Sequence, residues 1–193
     1  MRIILNVVLI LIVPVLVYML AGSIREPIAF QEQKQIREEA VVQKLITIRK
    51  AQELYRGITG TFSSSFEDLK NVLTNGRFTI VKVIGDPDDP SGQQVSYDTI
   101  YKNAADSIKT LGLQLDSLAY VPFGEGAMFN IQADTITYQS TVVSVVEVGV
   151  PRKVFMGPYA DARFAKYDNS YDPNSIVKFG NMNAPNTSGN WER

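Results

Sequence analysis

Ile28–Arg56 reads IAFQEQKQIREEAVVQKLITIRKAQELYR, and the fold turns on it. The stretch holds neither Gly nor Pro and is rich in Gln, Glu, Lys, Arg, Ala, Leu and Ile, which a helix interior accommodates at little cost. One long helix is expected. Ile36, Val41, Leu45, Ile48 and Tyr55, with Gln52 between the last two, step along one face, and Lys34/Glu38 and Arg49/Glu53 are opposite charges one turn apart. Such a stripe demands cover. Two readings satisfy it: the helix lies on its own globular domain, or Val41, Leu45, Ile48 and Tyr55 form a seam of about two to three heptads with another chain.

Upstream, after a break expected at Arg25-Glu26-Pro27, Ile3–Ala21 reads IILNVVLILIVPVLVYMLA without a charge. At about 1.5 Å per helical residue this run approaches the roughly 30 Å of a bilayer's hydrocarbon core, so a single transmembrane helix is expected. A cleaved signal peptide is the rival, with Arg2 ahead of the run and small residues at Ala21 and Ser23, but the run exceeds the usual apolar length of such signals. Ser23 stands where a lipoprotein signal needs Cys. Asn6 offers a hydrogen bond to a partner helix, and Pro14 is a kink that a membrane helix can carry. Cations flank the run on both sides, Arg2 on one and Arg25, Lys34 and Arg37 on the other. The very short N-terminal tail makes an anchor with a cytoplasmic N-terminus and an exported C-terminal part the expected topology.

Downstream, Gly57 and Gly60 end the long helix, and Ser64 or Ser65, followed three residues later by Glu67 or Asp68, caps a second helix closed by Asn75-Gly76. Strands are expected at Phe78–Ile84, Val95–Tyr101, Ala119–Phe123, Phe129–Ala133, Thr135–Tyr138, Thr141–Val148 and Lys153–Met156, with a short helix over Asn103–Leu111. From Tyr159 onward Asn, Pro and Gly crowd the chain, and an extended arm with one edge strand at Ile176–Phe179 is expected, the lone Trp191 pinning its end to the domain. The class is α+β: a transmembrane anchor over 1–23, an amphipathic stalk helix over 24–57, a small, mainly antiparallel domain over 58–158 and an Asn-rich arm over 159–193.

The composition closes most catalytic routes. With no Cys and no His, the chain lacks thiolate nucleophiles, imidazole bases and the usual transition-metal ligands. Nineteen Lys and Arg against 20 Asp and Glu leave a net charge of -1, which offers no footprint for nucleic acid. There is no Walker lysine motif and no GxSxG. Asp86, Asp88 and Asp89 sit in a Pro-broken turn without EF-hand spacing, and Gly124-Glu-Gly126 reads as a turn. No catalytic residue, cofactor or metal is expected. The partners expected are the lipid bilayer and other membrane or periplasmic subunits, a second copy of the chain among them.

Two resemblances add to this. Ile46–Leu69, ITIRKAQELYRGITGTFSSSFEDL, resembles the segment of type IV pilins and pseudopilins in which a long helix ends in Ala-x-x-x-Tyr, here Ala51 to Tyr55. In that family Gly-Thr-Phe, here Gly60 to Phe62, and a short Ser-capped helix follow. Residues 2–6, Arg-Ile-Ile-Leu-Asn, lack the family's processing Gly and its Glu. The same stretch, with Ile24-Arg-Glu-Pro27 and the closing Asn186-Thr-Ser-Gly-Asn-Trp-Glu192, is similar to single-pass envelope proteins of Bacteroidota. Asp-Thr/Ser-aliphatic tripeptides at Asp98-Thr99-Ile100, Asp106-Ser107-Ile108, Asp116-Ser117-Leu118 and Asp134-Thr135-Ile136 resemble the O-glycosylation sequon of that group. This implies acceptors at Thr99, Ser107, Ser117 and Thr135, although Asp-Ser and Asp-Thr also mark turns. Together these readings point to a non-enzymatic, inner-membrane-anchored subunit of an envelope assembly, secretion, pilus-like or gliding. A periplasmic sensor or ligand-binding head is the alternative.

Overall fold

A computed structural model describes residues 2–84 and 96–192. The order is α1 (Arg2–Thr59), α2 (Phe66–Asn75), β1 (Arg77–Ile84), β2 (Ser96–Asn103), α3 (Ala104–Leu111), β3 (Asn130–Tyr138), β4 (Thr141–Pro151), α4 (Arg152–Phe155) and β5 (Ile176–Gly180). The α+β class holds, with the strands in two small antiparallel sheets: a β1–β2 ribbon and a three-stranded sheet in the order β3–β4–β5. The expected Asp86–Asp89 turn lies outside the described residues.

α1 is one helix of 58 residues, about 87 Å long, and it runs straight through Arg25-Glu26-Pro27 where the sequence predicts a break. Proline in a helix interior loses a hydrogen bond and clashes with the preceding turn, a cost of about 3 kcal/mol. Tertiary contacts on both sides of Pro27 offset it: Glu26 accepts from the Tyr167 hydroxyl, Phe30 is fully buried, and Gln31 donates to the Tyr167 carbonyl at 3.2 Å.

The apolar stripe lies on the chain's own head. Val41, Leu45, Ile48 and Ala51 are fully buried and Tyr55 nearly so, in one core with Leu69 and Leu73 of α2, Val146, Val148 and Val150 of β4, and Phe179 of β5. The reading of Val41, Leu45, Ile48 and Tyr55 as contacts to another helix is therefore corrected, because their surface is already consumed inside the chain. Ile36, assigned to the same stripe, is exposed. Gln52, the polar member, is fully buried: its amide accepts from the Ser63 N–H at 2.9 Å and donates to the Ser63 carbonyl at 2.8 Å, tying the α1–α2 loop to the helix.

Ser65 caps α2, accepting from the Glu67 N–H at 3.2 Å. β3 is one continuous strand where two were expected, and it turns into β4 through Gln139 and Ser140, both at positive φ, as a two-residue hairpin requires. Two expected strands are absent. Ala119–Phe123 is a compact turn closed by a single Tyr120–Met128 bridge, with positive φ at Phe123, Glu125 and Gly126. Lys153–Met156 falls in and just after the helical turn α4, which lets the adjacent Phe155 and Met156 both reach the core, whereas a strand would send them to opposite faces.

The expected extended arm is also corrected. Phe164, Tyr171, Val177 and Phe179 are buried, while the expected edge strand is present as β5 on β4 and Trp191 packs against the chain's own core as expected. The Asn and Asp side chains that suggested an irregular arm instead make turns. Asn181, Asn186 and Asp172 each accept the backbone N–H two residues on, at 2.8, 2.8 and 2.9 Å. Gly180 ends β5 at φ +84°, where a Cβ would lie 2.0 Å from the Val146 carbonyl oxygen.

Candidate functional site

The most distinctive surface lies where α1 leaves the head. From Ile10 to Leu20 its large apolar side chains are 49–82% exposed, and no other element covers them. The helix is long and apolar enough to cross a membrane. Just beyond this stretch the segment 157–171 wraps α1 in an aromatic collar. Its two 3₁₀ turns, Gly157–Tyr159 and Ala162–Lys166, bring four rings around Phe30. Phe164 stacks on Phe30 with centroids 5.1 Å apart and planes 7° from parallel, Tyr171 meets its edge at 5.0 Å, and Tyr159 and Tyr167 flank it at 6.0 and 6.2 Å. Each offset or edge-on pair adds about 0.5–1.5 kcal/mol beyond the area it buries.

Polar clasps fix the collar's height along the helix. Lys34 pairs with Asp168, whose carboxyl the ammonium, helped by the Ser170 hydroxyl, holds down at about 2. Arg37 donates to the Phe155 carbonyl at 2.7 Å, and Arg152 pairs with Glu38 at 2.6 Å. At the lower rim the Tyr167 hydroxyl donates to Glu26 and keeps that carboxyl below the usual range, assisted by the charges of Lys166 and Arg163. Both cations are exposed, and each lies over a ring of the collar: Arg163 over Phe164 at 4.7 Å and Lys166 over Tyr167 at 4.4 Å.

Elsewhere among the described residues, a polar hollow of about 420 Å³ is lined by Lys178, Asn181, Asn186, Asn190 and Glu192. Two hollows of about 510 and 550 Å³ flank α2, and both are lined by Lys70 and Asp116, whose ion pair at 2.5 Å spans the ground between them. Among the described residues no three Asp or Glu side chains converge to hold a metal ion.

The sequence-derived candidates are scattered. Asn6 lies in α1, but its side chain falls outside those described. Thr99 is exposed in β2 and Thr135 is exposed in β3, its N–H donating to Asp134 at 2.7 Å. Ser107 is half-buried within α3. Ser117 is half-buried in a 3₁₀ turn, where its hydroxyl accepts from Lys44 at 3.1 Å. The tripeptide reading expects all four at turns or strand ends with free hydroxyls; Ser117 lies at a turn with its hydroxyl engaged, while Thr99, Thr135 and Ser107 lie within β2, β3 and α3. The collar went unread in the sequence. Its one signal was Tyr159, Phe164, Tyr167 and Tyr171, four aromatics within a stretch otherwise typical of loops.

No protein-family model matches the chain, and no curated protein or solved structure proved significantly similar to it. The geometry therefore carries the functional reading by itself.

Proposed function

We propose that the chain is a non-enzymatic, single-pass membrane-anchored structural or assembly subunit of a bacterial envelope complex, with its N-terminus in the cytoplasm and its head in the periplasm. The continuity of α1 carries this reading. One helix supplies both an uncovered apolar segment and the central element of the head's core, so the head follows any movement of the anchor without a hinge between them. A ligand-sensing head would work through a deep hollow with free converging polar groups, whereas the hollows beside α2 are partly bridged by Lys70 and Asp116, and Lys178 and Glu192 of the polar hollow are engaged by Glu147 and Arg49. The uncovered face of Ile10–Leu20, with Pro14 in it, is the surface offered to lipid and to partner helices.

Two measurements test this. The chain has no Cys, so Lys109→Cys on the exposed surface of α3 creates a single reporter thiol. It reacts with a membrane-impermeant maleimide once the outer membrane is opened; reaction only after lysis of the inner membrane reverses the topology. Solubilised gently at native expression level, the protein migrates in a complex well above its 21.5 kDa, and deletion of residues 2–20 releases a folded soluble head. A lone chain in the membrane overturns the assembly role and favours a sensor.

A further inference from the structure

We propose that the underside of the head, formed by Arg25, Arg163 and Lys166 around the Phe30 collar, binds the headgroups of anionic phospholipids. The inference rests on the anchor reading and adds the lipid class that the anchored head recognises.

The argument begins with height. The apolar run ends at Ala21, and Glu26 lies five residues on, about 7.5 Å further along the helix axis. A bilayer's polar layer is about 5–7.5 Å thick on each side of its hydrocarbon core. Lys166 reaches Glu26 at 3.5 Å and so hangs at the outer boundary of the headgroup layer, and Arg163, over Phe164, lies on the same collar. Arg25, exposed and one residue nearer the span, lies inside that layer. Because α1 is unbroken through Pro27, this height is set by the fold and not by a flexible linker.

The charge balance supports an anion. Glu26 is the acidic side chain at this level of the helix, and it is already engaged by the Tyr167 hydroxyl and Lys166. Arg25, Arg163 and Lys166 therefore outnumber the carboxylates of Glu26 and Asp161 by one, leaving a net positive rim. Arg163 and Lys166 are also preorganised, each lying on a ring of a collar whose centre, Phe30, is fully buried. Exposed cationic heads held over aromatic faces at the level of the polar layer suit phosphate oxygens at a membrane surface. Each such charge near an anionic surface raises occupancy about fivefold.

The test uses the full chain in nanodiscs of phosphatidylcholine and phosphatidylglycerol at a four-to-one ratio, with native mass spectrometry of the lipids retained on the released protein. Retained lipid is expected to be enriched in phosphatidylglycerol over the bulk ratio. Arg163→Gln with Lys166→Gln should lower that enrichment by roughly tenfold or more, Arg163→Lys with Lys166→Arg should preserve it, and the charge-matched Lys102→Gln with Lys109→Gln on the far sheet and α3 should leave it unchanged. Equal lipid composition in bulk and bound fractions overturns the proposal, as does equal loss in the two Gln pairs, which would make the effect one of net charge. Complete displacement by 10 mM inorganic phosphate would assign the site to a free anion and equally overturn it. Failure of the wild-type chain to enter nanodiscs sinks the anchor reading itself.

Discussion

Phe30→Ala is the most informative single change, because it separates the collar from the rest of the head. The side chain is fully buried and meets Phe164, Tyr171, Tyr159 and Tyr167 at centroid distances of 5.0–6.2 Å. Truncating a buried Phe to Ala costs about 3–5 kcal/mol, from lost transfer energy and the cavity left behind. Phe164 and Tyr171 are themselves buried and cannot easily collapse into the gap, so the upper half of that range is expected. Against a typical domain stability of about 5–15 kcal/mol this is a large fraction. Trp191, the single Trp, packs on the core and reports unfolding by fluorescence. With a urea slope of about 1–3 kcal/mol/M, the midpoint should fall by about 1–5 M. Hydrogen exchange supplies the second readout: amides of 157–171 should lose protection under native conditions. Leu45→Ala, about 2–5 kcal/mol at an equally buried site higher on α1, should destabilise the head while the collar stays protected. A loss below about 1 kcal/mol for Phe30→Ala, or equal deprotection of the collar by Leu45→Ala, would refute the idea that Phe30 is its pivot.

Gln52→Leu keeps the volume but orphans the N–H and carbonyl of buried Ser63; at about 1–3 kcal/mol per unpaired group, urea unfolding should show a loss of about 2–6 kcal/mol, and a neutral result would mean that water replaces the amide. Asp168 is held at about 2 against an ordinary 3.8, so its contribution is complete above pH 3.8 and fades as pH falls toward 2; protection of 157–171 should drop across that window, and Asp168→Asn should remove this part of the drop, whereas parallel curves for the two proteins would exclude the Lys34 pair as its source. A glycan needs an open hydroxyl, so intact mass from the native host should step down with Thr99→Ala and Thr135→Ala but not with Ser117→Ala, whose hydroxyl is tied to Lys44; an unmodified native mass would reduce the tripeptides to local backbone chemistry.

What the sequence determined by itself was set by local physics. An apolar run without charges specifies a helix suited to a membrane, Ser64 or Ser65 three residues ahead of Glu67 or Asp68 specifies a helix start, and β-branched Phe78–Ile84 specifies a strand, because each depends on neighbours within one or two turns. The apolar stripe also announced that it needed cover. Its occupant was not legible, since Val41, Leu45 and Ile48 present the same surface to the chain's own α2 and β5 as to a foreign helix; only the folded head shows which is met. Three further decisions belonged to tertiary structure. Pro27 stays helical because Tyr167 and Phe164, far along the chain, bind both sides of it. The Asn-rich tail is ordered because its side chains close turns that Phe164, Tyr171 and Phe179 anchor in the core. The collar exists only where residues far apart in the chain meet, as in the Tyr167 to Glu26 and Gln31 bonds, 141 and 136 positions apart. Local propensity has no means of encoding a contact whose energy is released only when both segments are already in place.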